Sequence, residues 1–329
     1  MTVGIVSYGL YLPETSETAE QIAERCCLTI EELHALGVRQ RYLPSDEDQP
    51  VAMAVKAAQK ALESATDIDP MDVDVVIWTG EEYKDYIAQT PSIRLQEETG
   101  CRNAWAFDLV AQSVTLIQGF RLARDLIAGD DSIQTVLLAG GTRNIDLVDC
   151  KNPDTRFLIP CSASGGAAIV RKDYGRNTLL DTAFLVDSEM ADEVYVPGGG
   201  TEIPFSPENL NTDVMYFQTP HPEKVADYLK QRWADALGDI ARRLKGAGKT
   251  GYLALRHLAP LDREKVLETL NLASHQSMDL ENYGHHGTND PLISLDLGIK
   301  QKAVKDGDIV TLLTGGIGFT YAAAAIRWG

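Results

Sequence analysis

Asp72-Val-Asp-Val-Val-Ile-Trp-Thr79 and Thr135-Val-Leu-Leu-Ala-Gly-Gly141 are the stretches on which the fold turns. Each is a continuous apolar run bounded by charge, Thr or Gly, the pattern of a strand buried on both faces. Between them, Ser113 to Ala128 places Val114, Ile117, Phe120, Leu122 and Ile127 at helical spacing. Outward from this unit, Val3 to Tyr8 is a β-rich opening. Helical patterns start near Thr18 and Thr29, and Ala52 to Ala65 is alanine-rich and helical. The second half repeats the grammar. A helix is expected from Glu223 to Lys245, a strand at Gly251 to Leu255, a helix from Leu261 to Leu272, and a strand at Ile309 to Thr314 before Gly315-Gly316. Alternation of this kind predicts an α/β protein with helices packed on mostly parallel sheets. No low-complexity linker separates the halves, so the boundary is placed near residue 175. That gives an N-terminal half, 1–175, and a C-terminal half, 176–329.

Composition narrows the function classes. The chain has 329 residues, 44% hydrophobic and 24% charged, the profile of a protein with a substantial core. Its apolar runs stop well short of the roughly 20 residues a membrane span needs, and Met1-Thr-Val-Gly-Ile5 lacks the basic and apolar regions of a signal peptide. A cytoplasmic protein is expected, with no membrane partner. The net charge of -18 argues against nucleic acid, whose phosphates would be repelled. Local basic positions such as Arg39 and Arg156 remain candidates for an anionic substrate carrier. The five cysteines are scattered and show no C-x-x-C pair, so neither a disulfide framework nor a zinc site is suggested. Gly198-Gly-Gly200 lacks the Lys and Ser/Thr of a phosphate loop and reads as a turn. No metal or cofactor is called for.

Separated segments resemble, in order, the ketoacyl synthase III family of the thiolase superfamily. Gly37-Val-Arg-Gln-Arg41 is similar to its Gly-Ile-Arg-x-Arg, and Asp72-Val-Asp-Val-Val-Ile77 to its Asp-Ile-Asp strand. Ala106-Phe-Asp-Leu-Val-Ala-Gln-Ser113 resembles its Ala-Phe-Asp-Ile-x-Ala-Ala-Cys. Lys305 to Trp328 resembles its closing strand, glycine turn and terminal Arg-Trp. The resemblance spans nearly the whole chain. It implies a thiolase-like fold of two pseudo-duplicated halves in a five-layered α/β/α/β/α arrangement, usually a dimer. The N-terminal half would carry the nucleophile and the C-terminal half the histidines.

The family's nucleophilic cysteine is replaced here by Ser113. A hydroxyl gains little from a helix dipole alone and needs an adjacent base. The family's His-x-Ala-Asn turn becomes His257-Leu-Ala-Pro260. Its Gly-Asn-Thr-Ser turn becomes Gly284-His-His-Gly-Thr-Asn-Asp-Pro291, with His285 nearest the asparagine position. Glu31 and Ala35 stand where the family clamps the adenine of coenzyme A. The resemblance thus implies Ser113 as nucleophile with His257 or His285 as base, and backbone N–H groups of Ser113 and Gly316 as oxyanion donors. Glu81 falls where related hydroxymethylglutaryl-CoA synthases carry a basic glutamate, and Arg39, Arg156 and His286 are substrate-contact candidates. Each has a plainer reading: Ser113 as a helix N-terminal serine, Glu81 as a solvated loop residue, His285 and His286 as part of a surface turn. Cys161 is a rival nucleophile on composition only. The function these substitutions imply is acyl transfer from a coenzyme A or acyl-carrier-protein thioester through Ser113, in place of cysteine-dependent condensation. The alternative is a non-catalytic helper subunit paired with a cysteine-bearing synthase, as a heterodimer in place of a homodimer.

Overall fold

A computed structural model describes residues 1–244 and 246–329. Its elements run β1 (Val3–Tyr11), β2 (Thr15–Thr18), α1 (Ala19–Cys26), α2 (Ile30–Ala35), β3 (Gln40–Leu43), α3 (Pro50–Ser64), β4 (Val75–Trp78), α4 (Pro91–Thr99), β5 (Trp105–Asp108) and α5 (Thr115–Gly129). They continue β6 (Thr135–Thr142), β7 (Ser164–Lys172), β8 (Thr178–Val186), α6 (Pro222–Tyr228), α7 (Ala234–Arg242), β9 (Thr250–Leu255), α8 (Pro260–Leu270), α9 (Asp290–Lys300), β10 (Ile309–Gly316) and β11 (Thr320–Arg327). Local signals account for the boundaries. The Thr29 hydroxyl accepts from Glu32 N at 3.1 Å while the Glu32 carboxylate takes the Thr29 N–H at 2.8 Å, a capping box that starts α2. Pro stands in the first turn of α3, α4, α6, α8 and α9, where its missing N–H costs nothing. The helix expected from Glu223 is interrupted: α6 passes through a π-turn at Leu229–Trp233 before α7 begins. Its expected end, Lys245, lies outside the described residues.

Nine strands form one hydrogen-bonded order, β5-β4-β6-β7-β1-β8-β11-β10-β9, and β2 and β3 make a separate hairpin. Both ends of the large sheet repeat a pattern. β4 runs parallel to β6, which is antiparallel to β7, itself antiparallel to β1. Likewise β9 runs parallel to β10, then β11 and β8 follow antiparallel. The two runs meet where Gly4 pairs with Thr178 and Ile5 N donates to the Asn177 carbonyl at 3.0 Å. β5 extends only the first run. Among the described strands, parallel pairing is confined to β4–β5, β4–β6 and β9–β10, so the expectation of mostly parallel sheets is corrected. A strand buried on both faces is apolar throughout whichever way its neighbour runs, which is why its sequence does not report direction.

Alternate side chains along the strands separate the layers. Trp78, Leu137, Ala139 and Ile169 face α3 and α4 in one cluster. Val75, Ile77, Leu138 and Val170 turn the other way and pack with Ile117, Phe120 and Ile127 of α5 and Leu292 and Leu295 of α9. That middle cluster continues into Tyr252, Leu312 and Ala324, while Leu253, Leu313 and Tyr321 face α7 and α8. Five layers result, with α5 and α9 enclosed between the two runs of strands. Each fully buried Ile, Leu or Phe in this middle layer contributes about 1.5–3 kcal/mol. The N-termini of α5 and α9 therefore open inside the molecule, near one another. No described helix is long and apolar enough to cross a membrane.

Candidate active site

Ser113 lies not in α5 but in the 3-10 turn Gln112–Val114 before it. Gln112 has φ +55°, the left-handed region that a non-glycine residue enters at a cost of about 1 kcal/mol or more. Surrounding groups hold that elbow. Thr115 Oγ1 accepts from Ala111 N at 2.9 Å and donates to the Gln112 carbonyl at 2.6 Å, and Thr314 Oγ1 donates to the Ser113 carbonyl at 3.1 Å. Gly316 passes so close that a Cβ there would lie 3.0 Å from Ser113 N. The glycine end of β10 is thus backbone clearance beside Ser113.

The Ser113 hydroxyl is buried between two partners. It donates to Glu81 Oε1 at 3.0 Å, and His285 Nε2 stands 3.5 Å away. His285 Nδ1 is 2.5 Å from Asp290 Oδ2. Asp290, the first residue of α9, also accepts the backbone N–H of His257 at 2.9 Å and of His286 at 2.7 Å. Burial would raise its carboxyl, but the His285 imidazole and its hydrogen bond, with Arg256 behind them, outweigh that and hold it well below the usual carboxylate range. The tautomer of His285 follows from the network. Arg256 Nη2 lies 3.1 Å from Nε2 and has only protons to give, so Nε2 is the acceptor and Nδ1 carries the proton toward Asp290. Oriented this way, His285 keeps its lone pair on Nε2, the nitrogen nearest Ser113, where Arg256 Nη2 now donates to it.

Glu81 follows β4, wholly buried. Asn144 Nδ2 donates to its Oε2, and burial pushes its carboxyl above the ordinary range against the opposing pull of His285, Ser113 and Asn144. Gly287, at φ +55°, leaves the room: a Cβ there would collide with Glu81 Oε1. The His285 segment is itself fastened to the chain below it, His285 N donating to the Pro160 carbonyl at 2.7 Å and Ser162 N to the His285 carbonyl at 2.8 Å.

The structure sorts the residues singled out in the sequence. Ser113, Glu81, His285 and Gly316 come together. His257 also lines the cavity, but its Nε2 donates to the Gly37 carbonyl at 2.8 Å, which corrects its place as a base for Ser113. His286 is fully buried below, Nδ1 3.1 Å from the Ala163 carbonyl and Nε2 3.0 Å from the Tyr283 carbonyl, and is corrected from substrate contact to support. Arg39 is half exposed, lies outside the cavity lining and pairs with Glu281 at 2.7 Å, whereas Arg156 lines the cavity. Cys161 lines it too, but burial pushes its thiol up to about 12, leaving no thiolate. Asp290, Arg256 and Asn144 went unnoticed in the sequence. The signals were faint: an Asp before Pro291 at a helix start, and a charge directly after the buried run Tyr252-Leu-Ala-Leu255.

The cavity encloses about 440 Å³. Phe157, Phe217, Val225, Trp233 and Phe319 make much of its wall, and Arg156 and Lys230 are its exposed cations. The buried histidines give the fold an acid sensitivity. Burial lowers the pKa of both His257 and His286 from 6.5 to about 4. Between those values the unfolded chain binds more protons than the folded one. The stability they protect is fully present above pH 6.5 and drains away as pH falls toward 4. Urea midpoints at pH 7 and pH 4.5 should show this loss, and a His257→Gln protein, which keeps a donor for Gly37, should show less of it. Equal losses in both proteins would remove His257 from the account.

The family model for the C-terminal part of 3-oxoacyl-[acyl-carrier-protein (ACP)] synthase III matches residues 256–328. The beta-ketoacyl-[acyl-carrier-protein] synthase III of Caldanaerobacter subterraneus is 24% identical over 100% of this chain and 98% of its own, and that of Phocaeicola vulgatus 26% identical over 99% and 96%. Among solved structures, 3-oxoacyl-(acyl carrier protein) synthase III from Pseudomonas aeruginosa superposes with a TM-score of 0.85 at 22% identity, covering 100% of this chain and 98% of that one. A cysteine-to-serine variant of Xanthomonas campestris OleA with bound lauric acid and lauroyl-CoA gives 0.80 at 14% identity, covering 100% and 99%. The fold is thiolase-like, that of the synthase III structures. Over its whole length the chain resembles beta-ketoacyl-[acyl-carrier-protein] synthase III sequences, and its C-terminal part matches their family model.

Proposed function

We propose that this protein is an acyltransferase that takes an acyl group from a coenzyme A or acyl-carrier-protein thioester onto Ser113 and passes it to an acceptor. The observation that carries the reading is the relay Ser113–His285–Asp290, a hydroxyl, an imidazole in the accepting tautomer and a buried carboxylate that fixes it. In the first half-reaction Ser113 Oγ bonds to the thioester carbonyl carbon as its proton passes to His285 Nε2. The C–S bond then breaks, and the leaving thiolate takes that proton. In the second half, an acceptor hydroxyl or amine gives its proton to Nε2 while attacking the serine ester, and Ser113 regains it as the ester C–O bond breaks. The 3.5 Å separation closes when substrate draws the serine proton away from Glu81, as such contacts commonly tighten on binding. Backbone N–H groups of Ser113 and Gly316 are the oxyanion donors in this reading. Glu81 holds the hydroxyl at rest.

Condensation fits less well, because no thiolate is present and His257 is tied to the Gly37 carbonyl. A helper subunit would have no need of a complete relay. Arg156 and Lys230 offer the contacts for a carrier's phosphates. The open edge of β5, where half-exposed Trp105 stacks on Phe107, is the surface assigned to a second copy or a related synthase. Intact-protein mass spectrometry after incubation with acyl thioesters tests the reading. An added acyl mass should map to Ser113, and a Ser113→Ala protein should gain none. An unlabelled wild type, or a label on Cys161, sinks the proposal.

A further inference from the structure

We propose that Arg256 selects acyl groups that end in a carboxylate, so that the donor loaded onto Ser113 is a short dicarboxylic acid carried as its monothioester. The inference rests on the acyl-transfer reading above and names its substrate class.

Arg256 leaves the end of β9 and lies over the Trp233 ring, 5.0 Å from its centroid. Its Nε donates to the His257 carbonyl at 3.0 Å, Nη1 to the Gly315 carbonyl, and Nη2 to His285 Nε2 at 3.1 Å. All three acceptors are neutral, and among the described residues no carboxylate stands at ion-pairing distance from the guanidinium. A cation laid on the Trp233 ring in a largely apolar cavity, without an anion bonded to it, is costly to hold. The planar fork of a guanidinium carries five N–H groups, so two remain after these three bonds, and it matches a carboxylate in two-point fashion.

Position supplies the length. Ser113 Oγ and Arg256 Nη2 converge on one atom, His285 Nε2, at 3.5 and 3.1 Å, a spacing within the reach of a short acyl chain with its carbonyl at Ser113 and its far end at the guanidinium. The charge layout supplies the direction. Glu81 occupies the other side of the hydroxyl, its oxygens taken up by Ser113 and Asn144 and with no donor for a second carboxylate, while Arg156 and Lys230 are the exposed cations of the cavity. A bound carboxylate also changes the relay. In the free protein Arg256 Nη2 sits on the lone pair that must take the serine proton. A substrate carboxylate draws the guanidinium off Nε2 and frees that lone pair, whereas an uncharged acyl group leaves it capped.

The test compares donors of equal carbon number. Wild-type protein is mixed with succinyl-CoA or butyryl-CoA, and the rate of mass gain on Ser113 is followed in a single turnover. Succinyl transfer should be at least about 10-fold faster, and Arg256→Gln should collapse the succinyl-to-butyryl ratio by roughly 10- to 100-fold. Arg256→Lys, which keeps charge but not the fork, should retain part of it. A wild type acylated equally fast or faster by butyryl-CoA overturns the preference while leaving acyl transfer standing, and it does so without any substitution. A ratio that survives Arg256→Gln, both donors slowing together, also overturns it and makes Arg256 a positioning residue for His285. No acylation by either donor overturns both proposals.

Discussion

An Asp290→Asn protein is expected to remain folded and to lose on the order of 10³- to 10⁴-fold in the rate of Ser113 acylation, the scale seen when the carboxylate of a serine-histidine relay is made an amide. The chain of cause is local. Asp290 accepts three N–H groups, those of the His257 and His286 backbone and of His285 Nδ1. An asparagine offers one accepting oxygen and an NH₂. With its carbonyl on the His286 N–H, the NH₂ stands where Oδ2 stood, takes the acceptor away from the His257 N–H and faces His285 Nδ1. That forces the ring proton onto Nε2, where it meets Arg256 Nη2 and where no lone pair remains for the serine proton. Single-turnover acylation, with circular dichroism to confirm the fold, reads the effect. A loss smaller than tenfold would mean that His285 does not act through this tautomer, and Glu81 would become the base to examine.

Arg41→Ala should cost about 3–5 kcal/mol of stability, the range for removing one partner of a buried ion pair. Arg41 is only 1% exposed. Its Nε donates to Glu17 at 2.6 Å, and the guanidinium also reaches the carbonyls of Ile159 and Cys161. Without it, Glu17 keeps only the half-exposed Arg25, and two buried carbonyls lose their donor. The damage should not stop at stability. The same guanidinium fastens the β2–β3 hairpin to the segment that holds His285, so acylation should slow as well. Urea unfolding measures the first effect. A change below 1 kcal/mol would show that Arg25 and solvent replace the lost contacts.

Much of the fold is legible in the chain because a doubly covered strand has no polar alternation, as in Asp72 to Thr79 and Thr135 to Gly141. Strand direction is not, since β6 and β7 are equally apolar and run opposite ways. At the site, Ser113 stands out because the residues before it match a family motif, and Glu81 because it closes one. His285 could be proposed but not chosen over His257: both are histidines in glycine- or proline-bearing turns, and the difference is a single acceptor, the Gly37 carbonyl, 220 residues away. Asp290 and Arg256 were illegible for a similar reason. An Asp before proline reads as a helix start, and it is one, but its carboxylate serves a ring five residues earlier.

In the acyl-transfer reading the nucleophile and its base, Ser113 and His285, stand 172 residues apart in the chain and on opposite sides of the repeated strand pattern. A ribosome builds the chain in one direction, and the earlier part tends to fold first. The growing protein thus carries the serine elbow long before it has an imidazole to activate it. A coenzyme A thioester meeting the unfinished chain finds a hydroxyl no more reactive than any surface serine. In that reading chemistry arrives only once α9 and β10 have packed around α5, so acylation of Ser113 would double as a certificate that translation and assembly are complete.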